Sequence, residues 1–67
     1  MEVQDLLSKR EMEVVRGIKL GQKNKEIARD LNVTERTVKF HCTNIYRKLE
    51  ISSRSELFSR LTPAQSN

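Results

Sequence analysis

The side chains best suited to bind another molecule lie in one basic segment in the middle of the chain. Residues 36–48 contain four lysine or arginine side chains and no acidic side chain. At about 100° per residue, a helix through this segment has one side made of Arg36, Phe40, Thr43 and Arg47, flanked by Lys39 and Asn44. Positive charge, hydrogen-bonding groups and an aromatic ring on one face suit contact with the phosphates and base edges of a DNA groove.

The opposite side of the same predicted helix is apolar. At helical spacing four residues fall within about 60° of one another, and we call them the apolar seam: Val38, Cys42, Ile45 and Leu49. We expect this seam to face the core, with the Cys42 thiol acting as a small apolar group. One cysteine and one histidine are too few for a zinc site, so we expect no metal or other cofactor.

Composition indicates one small domain with a polyanionic partner. The chain has 67 residues and a formal net charge of +4, from 13 basic and 9 acidic side chains. A domain of this size buries only about 60% of the surface of its unfolded chain, so its core is modest. The sequence has no apolar run long enough to span a membrane and no apolar signal segment at its N-terminus, so we expect a cytoplasmic chain.

Helix-start signals place a first helix after a short lead-in. Residues 1–6 include polar side chains without a helical period, and we interpret them as a lead-in or the end of a linker. Ser8 and Glu11 have the spacing of a capping box, and Leu7 and Met12 have that of a hydrophobic staple. The first helix is therefore predicted from residue 9 to about residue 20, before a glycine that offers a left-handed stop.

Two further helices are predicted around a tight turn. Residues 24–31 have apolar side chains at helical spacing, and Asn32 then favours a left-handed turn conformation. Thr34 caps the next helix, which is the basic one and extends over residues 35–49. Because a short turn between two helices makes them cross steeply, this pair is predicted to form a helix-turn-helix.

A fourth helix is predicted near the C-terminus. Ser53 and Glu56 repeat the capping-box spacing, and the helix stops before Pro63, leaving residues 62–67 as a flexible tail. Three apolar residues on this short helix cannot all face inward, so we expect a dimer interface among them: Leu57, Phe58 and Leu61. No segment shows strand alternation, and the chain is predicted to be an all-α, compact four-helix domain.

The chain from Leu7 to Leu61 resembles a known family. The residues that carry the resemblance are 7–14, Gly21, 24–28, Leu31, Val33, 37–39, His41, Ile45, 48–49 and Arg54. This pattern resembles the LuxR-type DNA-binding domain of GerE-like proteins, which is also found at the C-terminus of many bacterial response regulators and quorum-sensing regulators. The resemblance implies a four-helix domain whose third helix enters the major groove and whose fourth helix often makes a dimer contact.

Two residues depart from the pattern of that family. Lys23 stands where a serine or threonine cap is usual, so we expect the capping partnership with Glu26 to be absent. Gly17 stands where a larger apolar residue is usual. Either it fits a close contact, or it is tolerated and leaves the first helix less well packed.

Candidate DNA contacts follow from the helical face and from the resemblance. In the family, residues at the start and middle of the third helix meet bases, and those positions are Lys39, Phe40 and Thr43 here. Asn44 is a further candidate for a base edge or a phosphate. The candidate phosphate contacts are Lys25, Thr34, Arg36, Thr37, Arg47 and Lys48. The alternative for each residue is an ordinary solvated side chain.

The leading interpretation is the DNA-binding domain of a bacterial transcription regulator that acts as a dimer. Its expected partners are duplex DNA and a second copy of the chain, with RNA polymerase as a further candidate and a sensor or receiver domain outside this sequence. We expect no enzymatic activity, because no nucleophile or carboxylate is spaced to assist His41, to which we assign a packing or phosphate role. Three alternatives stay open: a sigma-factor-like promoter-reading segment, the DNA-binding piece of a recombinase, and a module whose basic helix binds an acidic protein.

Overall fold

The computed structural model describes residues 3–61, with side chains from Asp5 onward. The chain forms five helical segments: α1 (Val3–Leu6), α2 (Lys9–Lys19), α3 (Asn24–Leu31), α4 (Glu35–Leu49) and α5 (Arg54–Leu61). Residues 3–61 contain no strand, which confirms the all-α prediction. None of these helices is long and apolar enough to cross a membrane. The predicted tail at 62–67, including the stop at Pro63, lies outside the described residues.

The expected lead-in contains the single helical turn α1. This turn lies against α4, and the next residue, Leu7, packs into the core. One turn is too short to show a helical period in the sequence, which is why the pattern did not reveal it.

The caps of α2 confirm the sequence signals. Ser8 Oγ accepts a hydrogen bond from the Glu11 backbone N–H at 3.2 Å, and Glu11 Oε1 accepts one from the Ser8 backbone N–H at 2.9 Å. These reciprocal bonds satisfy two of the backbone donors that a helix start leaves without partners. After the helix, Gly21 has a φ of 82°, a backbone conformation that glycine adopts without steric cost.

The start of α3 differs from the expectation. Lysine has no acceptor atom and cannot cap the helix through its side chain. Glu26 Oε1 nevertheless accepts a hydrogen bond from the Lys23 backbone N–H at 2.9 Å. Half of the capping box therefore persists, and the expectation that Lys23 and Glu26 form no capping partnership was wrong.

The start of α5 carries a shifted version of the predicted capping box. Ser53 Oγ accepts a hydrogen bond from the Glu56 backbone N–H at 3.2 Å, as predicted. The Glu56 carboxylate, however, accepts hydrogen bonds from the backbone N–H and hydroxyl of Ser52, one residue earlier. These bonds are the main reason that the pKa of Glu56 lies below its ordinary value.

All four longer helices contribute to one core. Its fully buried side chains are Ile18, Ile27, Ile45, Leu57, Val14 and Val38. The four residues of the apolar seam are all buried, which confirms the orientation predicted for α4. Each fully buried aliphatic side chain contributes about 1.5–3 kcal/mol of hydrophobic stabilisation, so α4 is held chiefly by this seam.

Gly17 lies at a close contact between α2 and α3. A β-carbon added to Gly17 would approach Ile27 Cγ1 to 2.6 Å and Gln22 Oε1 to 2.9 Å. Ile27 is itself 1% exposed, so it has little room to move away. Of the two alternatives for Gly17, the close contact is the one confirmed, because the missing side chain is what allows α3 to approach α2 closely.

We predict that Gly17→Ala lowers the free energy of unfolding by about 1 kcal/mol. Alanine gains up to about 1 kcal/mol of helix propensity, but the clash with Ile27 costs about 1–3 kcal/mol and outweighs it. Thermal denaturation followed by circular dichroism measures the difference. Arg16→Ala, at the exposed neighbouring position, is the matched control and should change stability by less than about 0.5 kcal/mol. A Gly17→Ala chain as stable as the native one, or more stable, would show that this contact is not tight.

Candidate nucleic-acid interface

The turn between α3 and α4 brings two helix starts and one exposed helix face together. Asn32 ends α3 in the left-handed region with φ 59° and ψ 45°, as the sequence predicted. The Val33 backbone N–H then donates to the Ala28 carbonyl oxygen at 2.9 Å, and Thr34 begins the cap of α4. α3 and α4 pack directly against each other across this turn, and Ala28 is buried between them. The two helices of the helix-turn-helix are thus joined by a short, hydrogen-bonded turn and by direct packing.

The outward face of α4 is the one predicted from helical spacing. The Phe40 side chain is 63% exposed, although phenylalanine is usually buried in a core. Four further residues of the face are exposed, which are Arg36, Lys39, Thr43 and Arg47. Asn44 lies at the flank of the face and is half-buried. We call these six residues the reading face. Its centre is apolar and aromatic, and its surround is cationic.

Hydrogen bonds within α4 order two parts of the reading face. Thr43 Oγ1 donates to the Lys39 carbonyl oxygen at 3.1 Å, which leaves the threonine methyl and hydroxyl lone pairs available to a partner. Arg47 Nη2 donates to Asn44 Oδ1 at 2.9 Å, so the Asn44 amide is held with its NH₂ group as the remaining donor. The ring centroids of Phe40 and His41 lie 5.9 Å apart, and the two ring planes are tilted by 58°.

Four of the six candidate phosphate contacts lie at the starts of α3 and α4. Thr34 Oγ1 accepts from the Thr37 backbone N–H at 3.1 Å and lies 3.0 Å from the Thr37 hydroxyl. Arg36 is exposed in the first turn of the same helix, and Lys25 is exposed in the first turn of α3. Helix starts carry positive dipole ends and free backbone N–H groups, so both positions favour anions.

Lys48 does not belong with these residues. Its ammonium group donates to Glu11 Oε1 at 2.7 Å, which joins the end of α4 to the start of α2. Glu11 is only 4% exposed. Burial acts to raise the pKa of this carboxyl, but the hydrogen bonds and charge of Lys48, together with the bonds from Ser8, bring the pKa below its ordinary value. Lys48 was predicted to bind phosphate; in the structure its exposed side chain is engaged by Glu11, and the phosphate contact stays a prediction.

The contact with Lys48 also changes the interpretation of Glu11. The sequence predicted for Glu11 only a role in the capping box of α2. The carboxylate in fact receives both the cap bond and the Lys48 ammonium, a tertiary contact 37 residues away in the sequence. No local pattern signals a contact at that separation.

Sequence comparison identifies the family. The sequence profile of the bacterial regulatory proteins of the luxR family matches residues 5–61. The chain belongs to the luxR family. The matched region contains the helix-turn-helix, the reading face and α5. The protein is therefore a helix-turn-helix DNA-binding domain of the kind found in bacterial transcription regulators.

Individual relatives are similar over most of this chain. It is 48% identical over 50 residues to the transcriptional regulatory protein LiaR of Bacillus subtilis, covering 75% of this chain and 24% of that protein. It is 50% identical over 50 residues to the nitrate/nitrite response regulator protein homolog of Haemophilus influenzae, with coverages of 75% and 24%. It is 39% identical over 54 residues to the CsgBAC operon transcriptional regulatory protein of Escherichia coli, with coverages of 81% and 25%. The chain spans about a quarter of the length of these relatives. No solved structure shows significant similarity.

The α5 surface of this luxR-family domain is smaller than predicted. Leu57 is completely buried in the core, so it is not available to a second protomer and the prediction for this residue was wrong. Leu61 is half-buried against the core. Phe58 is 43% exposed and is the main apolar side chain that α5 offers to solvent in the described residues.

The sequence did not reveal the structural roles of two arginines of α5. Arg54 Nη1 donates to Asn24 Oδ1 at 2.8 Å, and Arg54 Nη2 donates to the Gln22 carbonyl oxygen. Arg60 Nη1 donates to the Leu49 carbonyl oxygen at 3.2 Å, at the end of α4. Arg54 was part of the family pattern, but its spacing alone does not reveal which turn it would reach. The two arginines tie α5 to the start of α3 and to the end of α4.

We predict that the Glu11–Lys48 pair makes the stability of the luxR-family domain fall in acid. A carboxyl whose pKa is lowered by folding stabilises the fold above its unfolded pKa of about 4.3, and this stabilisation is lost as pH falls through the lower folded value. Glu11→Gln should therefore cost about 1 kcal/mol at pH 7, and the difference from the native chain should shrink between about pH 5 and pH 3. Chemical denaturation at a series of pH values measures this difference.

Glu13→Gln provides the matched control. Glu13 forms an exposed ion pair with Arg10 at 2.8 Å. Exposed pairs contribute little, so this variant should stay within about 0.5 kcal/mol of the native chain at each pH. A difference between Glu11→Gln and the native chain that stays constant from pH 7 to pH 3 would contradict the ionic role of Glu11.

Proposed function

We propose that this domain binds duplex DNA sequence-specifically by inserting α4 into the major groove. The observation that carries the proposal is the reading face, on which an exposed phenylalanine is surrounded by arginine and lysine on a helix with a fully buried opposite side. The major groove of DNA is wide enough to admit an α-helix and presents a distinct pattern of donors, acceptors and methyl groups at each base pair. A convex helix with mixed polar, cationic and apolar groups matches such a surface.

The base contacts are assigned to the centre of the reading face. Lys39 can donate to O6 and N7 of guanine, and the ring of Phe40 can pack on a thymine methyl group. Thr43 presents a methyl group and acceptor lone pairs, since its hydroxyl proton is used within the helix. Asn44 presents its NH₂ group, because Arg47 occupies its oxygen atom. These four residues carry the base discrimination in the proposal.

Phosphate contacts supply the register and much of the affinity. Salt-dependent release of counterions dominates the binding of proteins to DNA, and helix starts are suitable phosphate sites. The side chains assigned to phosphate are Lys25 at the start of α3, Thr34, Arg36 and Thr37 at the start of α4, and Arg47 on its outer face. They lie on both sides of the turn, so the two DNA strands that border one groove can be contacted together.

The domain acts in this proposal as part of a larger regulator. The chain covers only about a quarter of the length of the relatives that match it, and these include response regulators, which supports a receiver or other sensing domain elsewhere in the protein and a location in the cytoplasm. Phe58 and the edge of Leu61 are the α5 surface that would join two domains on DNA. A two-fold dimer would meet half-sites about one helical turn apart, and RNA polymerase would be the target of regulation. The domain itself works by binding and catalyses no reaction.

We predict that Lys39→Ala and Thr43→Ala relax base preference. Each loses a contact to a base edge, so affinity for a cognate site should fall by about 1–3 kcal/mol while affinity for random DNA changes much less. Lys25→Ala should weaken binding to all sequences alike and flatten its log-log salt dependence by about one phosphate. Arg47→Ala should flatten the salt dependence as well, but it also releases the Asn44 amide and so should alter base preference. Selection of bound duplexes from a random pool, followed by fluorescence anisotropy at several salt concentrations, provides both measurements.

The selected sequences also test the dimer. A two-fold symmetric consensus supports two domains on one site, whereas a single asymmetric half-site supports a monomer. Equal losses on all sequences for Lys39→Ala and Thr43→Ala would contradict base reading by α4. Absence of salt-dependent binding to any duplex, with tight binding to an acidic protein instead, would favour the alternative function of the basic helix.

A further inference from the structure

Arg54 joins two parts of the domain that an open groove separates. The groove runs between α5 and the turn before α3, and is lined by Gln22, Lys23, Asn24, Arg54, Ser55 and Phe58, among others. Arg54 is the first residue of α5, and its half-buried side chain crosses the groove to the turn. Its two terminal nitrogens donate to Asn24 Oδ1, at 2.8 Å, and to the Gln22 carbonyl oxygen. One planar group thus holds two points of the turn at once, as the fork geometry of arginine allows.

The turn that Arg54 holds needs such support. Gly21 is in the left-handed region, and the cap position of α3 is a lysine whose side chain cannot accept a hydrogen bond. Lys23 also puts positive charge near the positive end of the helix dipole. The Arg54 contacts and the bond from the Lys23 backbone N–H to Glu26 act together with two bonds of Gln22, from its backbone N–H to the Gly17 carbonyl oxygen and from its side chain to Asp30, to set the path of the chain into α3.

Arg54 is poorly placed to contact DNA itself. Both terminal nitrogens point inward to the turn. Burial raises the pKa of the Cys42 thiol and of the Tyr46 hydroxyl, and the positive charge of Arg54 partly opposes both shifts. The guanidinium is bonded to the turn that leads into α3, directly before Lys25.

We propose that Arg54 is a positioning residue for DNA binding, which holds the start of α3 so that Lys25 and the adjacent backbone N–H groups can engage a phosphate. This inference rests on the proposed function and adds a residue to it. Lys25 is one position after Asn24, so a shift of the turn moves its backbone directly. Arg54 and Phe58 are four residues apart on α5 and lie on the same side of that helix. A second domain packed on Phe58 would therefore contact α5, the helix whose Arg54 positions Lys25 for its phosphate contact.

The test compares Arg54→Met and Arg54→Lys with the native chain. Fluorescence anisotropy on one labelled duplex over a range of KCl concentrations gives affinity and salt dependence, and circular dichroism gives the melting temperature. For Arg54→Met we expect about a three- to tenfold loss of affinity and a log-log salt slope shallower by about 0.5–1. Arg54→Lys should show the same loss, because a single ammonium keeps the charge but cannot bridge both acceptors in the arginine geometry.

A double-mutant cycle with Lys25 separates positioning from direct contact. If Arg54 acts through Lys25, Arg54→Met should cause little further loss of affinity in the Lys25→Ala background. Arg60→Met is the matched control, since Arg60 also joins α5 to another helix but bonds to the Leu49 carbonyl, away from α3. It should lower the melting temperature and keep the native salt slope. Asn24→Ala is the second variant, to be used if Arg54→Met does not fold. It removes only one of the two acceptors of Arg54, so we expect a smaller loss of affinity and a smaller change of salt slope than positioning by both bonds predicts for Arg54→Met.

Several results would overturn the inference. Full recovery of affinity in Arg54→Lys would mean that charge alone matters, and additive losses in the double mutant would mean that Arg54 touches phosphate itself. A lower melting temperature with a native salt slope in Arg54→Met and Asn24→Ala would reduce Arg54 to a structural role. If Lys25→Ala lowers affinity and flattens the salt slope as expected, while the Arg54 variants bind like the native chain, this inference alone fails. If the native chain shows no salt-dependent duplex binding, the proposed function fails with it.

Discussion

Burial of the apolar seam of α4 is the interaction on which the rest of this domain depends. Val38 and Ile45 are completely enclosed, and Cys42 and Leu49 nearly so. Because a helix has fixed geometry, holding one side in the core fixes what the opposite side shows to solvent. The exposed Phe40 and its basic neighbours are therefore consequences of the seam. The luxR-family domain uses ordinary hydrophobic packing to aim a set of polar and aromatic groups outward.

Charged side chains complete what the small core cannot do alone. Lys48 bonds to Glu11 across the ends of two helices, Arg60 bonds to the last carbonyl of α4, and Arg54 bonds to the turn before α3. Each of these contacts joins two residues that are at least 11 positions apart in the sequence. Partly buried hydrogen bonds from charged groups are stronger than neutral ones, and they add directional constraints that apolar contacts lack. Cations on one chain thus have two distinct uses, which are holding helices together and facing a polyanion.

The sequence predicted the helices and their faces because those features are local. Ser8, Asn32 and Thr34 act within one turn of their own position, and the spacing of the apolar seam is a property of a single helix. Failures arose where a residue acts through a distant partner. Leu57 was expected at a dimer interface but is buried in the core, the sequence did not reveal the ion pair of Lys48 with Glu11, and it did not decide whether Gly17 fits a close contact. Each of these features depends on an element elsewhere in the chain. The role of Arg54 was invisible for the same reason.

The most direct test of the account is an NMR study of the isotopically labelled domain bound to a short unlabelled duplex selected for affinity. The account predicts intermolecular nuclear Overhauser effects from the Phe40 ring and the Thr43 methyl group to base protons in the major groove. The Val38 and Ile45 methyl groups should show only contacts within the protein. Contacts of the Phe40 ring with core methyl groups such as those of Val14, or contacts of DNA with a surface that excludes α4, would contradict it.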